Sequence, residues 1–236
     1  MNIETLIQQN LAIVYDQDSI PDPSQELFEA ERWAAENAIE GSAKGRGNAY
    51  FLKTPFGAAV LRRYRRGGWA ARFSEDRYVF TGFEQSRPYR EFRLLARMTE
   101  QGLPVPRPLA AMCVRGGLYY RGALLTRTIP GARPLAELLD MGLDSDDWIR
   151  IGACIRRFHA AGVRHADLNA RNILLQQQGS EVFLLDFDRG SMISGSAVEG
   201  KTNLARLRRS LEKLWPSRSP QALEASWARL IEGYGV

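Results

Sequence analysis

Residues 165–190, HADLNARNILLQQQGSEVFLLDFDRG, restrict the fold of this chain more than any other stretch. An H-x-D-x-x-x-x-N segment (His165, Asp167, Asn172) is followed by an apolar run, a short polar stretch, a second apolar run and an acid, Asp186. Asp167 and Asn172 flank a tight loop. Residues 173–175 start a strand, 176–180 turn it, and 182–185 return it, which sets Asp186 beside Asn172. This is the base and metal layout of phosphoryl transfer. Asp167 is placed to accept the proton of an attacking hydroxyl, and Asn172 and Asp186 to hold magnesium against nucleotide phosphates. A bare D-x-x-x-x-N is weak evidence; an apolar hairpin ending in a second acid makes the pattern specific. The competing reading is a structural hairpin with solvated acids at its ends.

The 236 residues suffice for one two-lobed domain or two small ones. At 44% hydrophobic and 25% charged, the composition is that of a globular chain. No apolar run approaches the ~18 residues of a membrane-spanning helix. The start, MNIETLIQQN, lacks the basic and apolar regions of a signal peptide, so a cytoplasmic location is expected. Cys113 and Cys154 have apolar neighbours and no metal-ligand spacing, and read as small core residues. The formal net charge is +5, and only four of the 32 basic residues are lysines (44, 53, 201, 213). Arginine favours bidentate contacts with phosphate and carboxylate. Nucleic acid, an anionic membrane surface and an anionic substrate compete as partners, and GC-rich coding would enrich arginine without any function. With no zinc spacing, aromatic RNA-binding motif or basic recognition helix, nucleic acid is set aside.

No internal repeat, low-complexity tract or linker stands out. Residues 11–15 read as a strand, followed by a turn at Pro21 to Pro23 and a helix over 25–37. Residues 48–53 and 58–65 form a hairpin around Thr54-Pro55-Phe56-Gly57, and 80–82 a short strand. Ser86 reads as an N-cap, with Pro88 in the first turn. Phe92, Leu95 and Met98 have helical spacing; Gly102 ends that helix and Leu103-Pro104-Val105-Pro106 forbids its continuation. Strands over 110–114 and 123–129 flank a Gly116-Gly117 turn. From 48 onward these make five strands and one helix, the body of a small lobe near 1–129. The lobe near 130–236 is helical. It has a short helix over 135–141 and one capped by Ser145, with Trp148, Ile151, Ile155 and Phe158 on one face and Gly162 closing it. After the catalytic hairpin, Leu204, Leu207, Leu211 and Leu214 define a helix stopped by Pro216, and Ser219-Pro220 opens a last one. The class is α+β, strand-rich in the N-terminal lobe and minimal and helical in the C-terminal lobe. About 50 residues follow Asp186, without an activation segment ending A-P-E, which argues against a protein substrate.

Gly41-Ser42-Ala43-Lys44-Gly45-Arg46-Gly47 precedes the first confident strand. Backbone N–H groups of such a loop approach phosphate oxygens closely, which makes Gly45, Arg46 and Gly47 candidate nucleotide contacts. The pattern is not G-x-G-x-x-G, and an ordinary flexible loop is the alternative. Kinase segments next place a lysine on the following strand, and this strand has none. Alternation offers two registers, Val60 toward adenine with Arg62 toward phosphate, or Leu61 with Arg63. Glu91, in the first turns of the 86–101 helix, is placed to pair with Arg62; Glu100 lies at the helix end. His165 reads as a structural post that bonds backbone near the second acid, and His159 as a packing or capping residue. Asn169 would orient Asp167 or the acceptor. Asp188 follows Asp186 by two, and strand-like spacing would aim both at the site. Arg62, Arg63, Arg65 and Arg66 form the densest basic run, followed by Gly67-Gly68-Trp69.

H-A-D-L-N-x-x-N-I-L-L with L-L-D-F-D-R-G resembles the lipopolysaccharide-core sugar kinases. So do GSAKGRGNAYF at 41–51, VLRRYRRGGW at 60–69 and TNLARLRRSLEKL at 202–214, and the likeness spans roughly 33–214. Protein kinases usually carry Arg in place of Ala166 and Gly in place of Asp188. The resemblance implies a protein-kinase-like two-lobed fold. It implies ATP-dependent, magnesium-dependent phosphorylation of the 4-hydroxyl of a 3-deoxy-D-manno-octulosonic acid (Kdo) sugar on a lipid A precursor. The family's strand pattern is similar to L-R-H-Y, which favours Arg62 for the phosphates and makes Arg63 the departure. The likeness includes Asp188, with its role open. An acceptor bearing phosphates, a carboxylate and acyl chains suits the basic, partly aromatic edge around Arg62–Trp69, with Arg206, Arg208 and Arg209 contributing. A monomer working at the anionic cytoplasmic leaflet of the inner membrane is expected. A heptose or aminoglycoside kinase remains open, as does a non-catalytic nucleotide- or lipid-binding module, which the missing strand lysine keeps alive.

Overall fold

Apolar alternation and tight turns organise the first half of the chain. The computed structural model describes residues 1–43, 49–64, 78–176, 181–193 and 200–235. The chain divides into two units, 1–100 with 107–128, and 101–106 with 129–236. In the first unit β1 (Ile3–Gln8) and β2 (Leu11–Asp16) form a hairpin. A single-turn 3-10 helix (Gln25–Phe28) and α1 (Ala30–Ala35) follow, then β3 (Ile39–Ala43), β4 (Ala49–Thr54), β5 (Gly57–Arg63) and β6 (Tyr78–Val79). α2 (Arg87–Glu100), β7 (Pro108–Gly116) and β8 (Tyr119–Arg127) complete the unit. Among the described residues eight strands make one antiparallel sheet in the order β1-β2-β7-β8-β5-β4-β3, with β6 on β8. One face buries Ile13, Leu61, Leu109 and Leu125 against Phe28 and Trp33. Trp33 is held by its indole N–H, which donates to Leu27 O at 2.9 Å. α2 lies against β7 and β8 and buries Phe92, Leu95 and Met98, the residues whose spacing announced it.

Several expectations need correction in this unit. The helix read over 25–37 is broken at Glu29, whose backbone is extended. Phe28, Ala30 and Trp33 are all buried, and their i, i+2, i+5 spacing cannot share one helical face. The sheet has eight strands rather than five because β1, β2 and β3 join it. Gly41 to Ala43 belong to β3, with a register shift between Ile39 and Gly41, and are not a loop. The short strand is Tyr78–Val79 rather than 80–82. Ser86 does precede α2, and its carbonyl accepts from Arg90 N, but its hydroxyl donates to Phe83 O at 2.6 Å instead of capping.

The second unit begins with β9 (Ala132–Pro134) and α3 (Leu135–Leu138), which tightens into a 3-10 turn at Leu139–Met141 rather than running as one helix. α4 (Ser145–Ala160) is capped by Asp144, not Ser145. Asp144 accepts from Asp147 N at 2.8 Å and Asp147 accepts from Asp144 N at 3.2 Å, a reciprocal capping box. Then come β10 (Val163–Arg164), β11 (Ile173–Gln176), β12 (Val182–Leu184), β13 (Ser191–Met192), α5 (Lys201–Leu214) and α6 (Pro220–Tyr234). β11 pairs with both β12 and β9, and β10 with β13. α6 starts where Ser219 accepts from Ala222 N at 3.0 Å with Pro220 behind it. α4 and α6 approach backbone to backbone. A Cβ on Gly152 would stand 1.9 Å from Leu230 O, and one on Gly233 2.0 Å from Ile149 O. Both cysteines are free and buried, and burial pushes the Cys113 thiol up to about 11 and that of Cys154 to about 12. No helix among the described residues is long and apolar enough to cross a membrane.

Candidate active site

The hairpin register dictates the geometry of the second unit's acidic loop. Ile173 faces Leu184, so Asn172 comes opposite Leu185, and Leu185 N donates to Asn172 O at 2.9 Å. Asp186 is thereby set next to Asn172. The loop from His165 to Asn172 is knit by its own asparagines. Asn169 Oδ1 accepts from Arg171 N at 2.9 Å, and Asn169 Nδ2 donates to Asp167 O at 2.9 Å and to its Oδ2 at 3.3 Å. Asn172 Nδ2 donates to Asp167 O at 2.9 Å. Its amide nitrogen is committed, so Asn172 Oδ1 is the atom that could face a hard cation, beside the exposed Asp186 carboxylate. No cluster of three or more His, Cys, Asp or Glu suited to a metal occurs among the described residues. Two protein oxygens suit magnesium, which keeps waters and phosphate oxygens as its other ligands.

Asp186 has a left-handed backbone, φ 59°, and β12 ends at Leu184. The strand-like spacing expected to aim Asp186 and Asp188 together is therefore not realised; the chain turns at Asp186. A non-glycine residue there costs about 1 kcal/mol, a cost Asp tolerates better than most. His165 holds the turn from beneath. Its Nδ1 accepts from Asp167 N at 3.0 Å, so its proton is on Nε2, which donates to Leu185 O at 2.8 Å. The ring is buried, tilted against Phe187 at 4.7 Å, and burial holds its pKa below 6.5. One neutral imidazole thus ties the backbone of Asp167 to that of Leu185.

The support of this loop lies on α5, where Asn203, Arg206 and Ser210 share one face. Asn203 is buried; its Nδ2 donates to His165 O at 2.7 Å, and its Oδ1 accepts from His165 N at 3.3 Å. The same Oδ1 accepts from His159 Nε2 at 3.0 Å, and His159 Nδ1 accepts from the Tyr234 hydroxyl at 2.9 Å. Burial lowers the His159 pKa and keeps the ring neutral. Ser210 Oγ accepts from Ala170 N at 3.1 Å, and Arg206 Nη1 donates to Asp167 Oδ1 at 3.1 Å. Sequence reasoning missed Asn203 and Ser210; their i, i+7 placement on the same face as Leu207 and Leu214, along the edge of the leucine stripe, was the available signal. Arg206 and Arg208 do not act as one basic edge, since Arg208 pairs with Glu212 and Glu224.

In the first unit, β5 resolves the two arginines. Arg62 pairs with the carboxylate of Glu91, which is 4% exposed, and that carboxylate also accepts from the Tyr64 hydroxyl. The Arg62 guanidinium lies over the Tyr64 ring at 4.8 Å. Arg63 points the other way and grips Glu31 through both nitrogens, at 3.2 and 2.6 Å. Those hydrogen bonds hold the exposed Glu31 carboxyl down at about 2. Adjacent strand residues face opposite sides, and the expected Arg62–Glu91 pair is present. Gly45, Arg46 and Gly47 lie outside the described residues, as do Arg65, Arg66 and Gly67 to Trp69.

Comparison with known proteins meets the same residues. The model of the lipopolysaccharide kinase (Kdo/WaaP) family matches residues 30–234. The chain is 42% identical to a 3-deoxy-D-manno-octulosonic acid kinase of Stenotrophomonas maltophilia (strain R551-3), over 95% of this chain and 90% of that protein. It is 43% identical to one of Xanthomonas axonopodis pv. citri, over 94% and 89%. The match takes in β5, the asparagine-knit loop, the Asp186 turn and the α5 face alike, and the chain belongs to the lipopolysaccharide kinase (Kdo/WaaP) family.

Proposed function

We propose that the protein is an ATP-dependent 3-deoxy-D-manno-octulosonic acid kinase that phosphorylates the 4-hydroxyl of a Kdo sugar on a lipid A precursor, with magnesium as the accompanying ion. The observation that carries this reading is the identity of 42% over 95% of the chain with an enzyme of that name. In this reading Asp167 orients the acceptor hydroxyl and takes its proton. Its oxygens are engaged by Arg206 and Asn169, and each retains a lone pair for the hydroxyl. Asn172 Oδ1 and Asp186 would hold magnesium, which neutralises charge on the phosphate oxygens. Arg62, fixed by Glu91, would bind nucleotide phosphates in the role of the usual strand lysine, keeping the charge and adding a fork. Gly45, Arg46 and Gly47 would cover those phosphates. His165 and Asn169 keep the loop in shape, and Asp188 is a supporting acid. Phosphoryl transfer has a loose transition state, so positioning and charge neutralisation are what these residues need to supply.

The protein acts, in the same proposal, as a monomer bound to the anionic leaflet. Supporting this, Val79, Leu118 and Tyr119 are 59%, 76% and 42% exposed. They adjoin one another where β6 pairs with β8, and exposed Arg115 and Arg121 flank them. Apolar side chains ringed by arginines suit an interface of acyl chains and anionic headgroups.

The test is transfer from labelled ATP to Kdo-bearing lipid, Kdo-free lipid, a heptose and an aminoglycoside, with magnesium or a chelator. Only the Kdo lipid with magnesium should be labelled, and Asp167→Ala should lose roughly 10²-fold or more in kcat. Magnesium-independent labelling, preference for another acceptor, or near wild-type turnover by Asp167→Ala would overturn the reading.

A further inference from the structure

Arg206 is placed differently from its two companions on α5. Asn203 and Ser210 bond to backbone of the loop, and Asn203 to buried His159 as well, whereas Arg206 is 43% exposed at its side chain and touches the half-exposed Asp167 carboxylate. It does so through Nη1 alone, and Asp167 is its one hydrogen-bond partner among the described residues. Guanidinium carries five N–H donors in a fixed fork. One contact at 3.1 Å leaves Nη2 and Nε to present a second, coplanar pair of donors. That geometry is matched by a carboxylate accepting two parallel bonds. The frame beneath is rigid, because Asn203 clamps both backbone groups of His165 and Ser210 holds Ala170, so the position of Arg206 relative to Asp167 is set by α5.

We infer that Arg206 is the specificity-determining residue for the acceptor, reading the carboxylate of an acidic sugar while Asp167 holds the hydroxyl. This rests on the Kdo kinase reading and extends it. An octulosonic acid carries a carboxylate on the ring that bears the acceptor hydroxyl; heptoses and aminoglycosides do not. A cation joined to the base would therefore favour an anionic sugar, and would leave a neutral one with unpaired donors facing it.

The experiment compares wild type, Arg206→Gln and Arg206→Lys on two acceptors: the Kdo-bearing lipid, and the same lipid with its sugar carboxylate reduced to the alcohol. The readout is the ratio of kcat/KM between acid and alcohol. Wild type should favour the acid by roughly 10- to 100-fold, the worth of a charge-assisted hydrogen-bond pair. Arg206→Gln should bring the ratio near one, chiefly through KM for the acid acceptor, and Arg206→Lys should restore part of it. A ratio unchanged in Arg206→Gln, whatever the fall in absolute rate, would assign Arg206 to Asp167 or to the transferred phosphate and overturn the inference. Wild-type enzyme that phosphorylates the two acceptors equally would overturn it too, with the kinase reading intact. Wild type labelling neither acceptor would remove both.

Discussion

Asn203→Ala should damage the catalytic loop without touching any group that meets a substrate. The substitution strands three polar groups at once, His165 N–H, His165 C=O and His159 Nε2–H, in a place where Asn203 itself is 5% exposed. Each unsatisfied buried group costs about 1–3 kcal/mol, and partial access of water to a vacated amide site reduces the sum to about 3–5 kcal/mol. For a domain of this size that corresponds to a fall in Tm of roughly 10 °C, at about 2–4 °C per kcal/mol. The kinetic effect follows from position. His165 fixes Asp167 N through Nδ1 and Leu185 O through Nε2, so releasing its backbone shifts both ends of the acidic loop. A displacement near 1 Å costs about 10²-fold in rate. Ser210→Ala is the internal comparison, since it removes one bond, to Ala170 N, and should cost about 1 kcal/mol. Thermal melts followed by fluorescence, together with steady-state turnover, read both quantities. An Asn203→Ala protein that melts within about 2 °C of wild type and keeps kcat within about twofold would refute the idea that α5 holds the loop.

If Arg62 binds the phosphates as proposed, Arg62→Ala should raise KM for ATP about tenfold and slow transfer; Arg63→Ala loses its pair with Glu31 and its bond to Phe28 O, on the other side of the strand, and should leave KM for ATP alone. Steady-state kinetics with ATP varied would sink the assignment if Arg63→Ala showed the larger KM effect. If the exposed Val79, Leu118 and Tyr119 meet the leaflet as proposed, Leu118→Asp should weaken co-sedimentation with anionic vesicles about tenfold, by removing apolar area and adding repulsion, and equal binding by both proteins would count against these residues as an anchor. His159 and His165 both have pKa values lowered by burial, so the unfolded chain binds more protons than the fold between 6.5 and the lowered values. Their contribution to stability is whole above pH 6.5 and is lost as pH falls from there toward the folded pKa values; urea melts of equal midpoint at pH 7.5 and 5.5 would contradict this.

What was legible in the sequence and what was not divide along one physical line. Trp148, Ile151, Ile155 and Phe158 announce α4 because burial of a helical face demands a 3.6-residue period, and the structure buries all four. The loop from Asp167 to Asn172 was equally plain, because apolar runs on either side force the hairpin that places Asp186. β3 was not legible: Glu40, Gly41, Ser42 and Ala43 have little strand preference, and β4 imposes their conformation by pairing. The break at Glu29 was hidden for a related reason, since Phe28 and Trp33 each seek the core and only the sheet decides how the chain between them bends. Polar partnerships were the hardest. Arg62 and Arg63 are the same residue type, one position apart, and alternation says that they diverge without saying which of them meets Glu91. Arg206, Arg208 and Arg209 look alike in a row, yet one joins Asp167 and another joins Glu224. Burying an apolar residue is favourable against almost any apolar neighbour, so its periodicity survives in the sequence. A hydrogen bond needs one partner at one distance, and the partners of Asp167 and His165 on α5 stand 39 and 38 residues away. Local pattern carries no record of such a pairing. The frame of the site could be read from the chain, whereas the side chains that hold Asp167 and His165 appear only once α5 has been laid beside the loop.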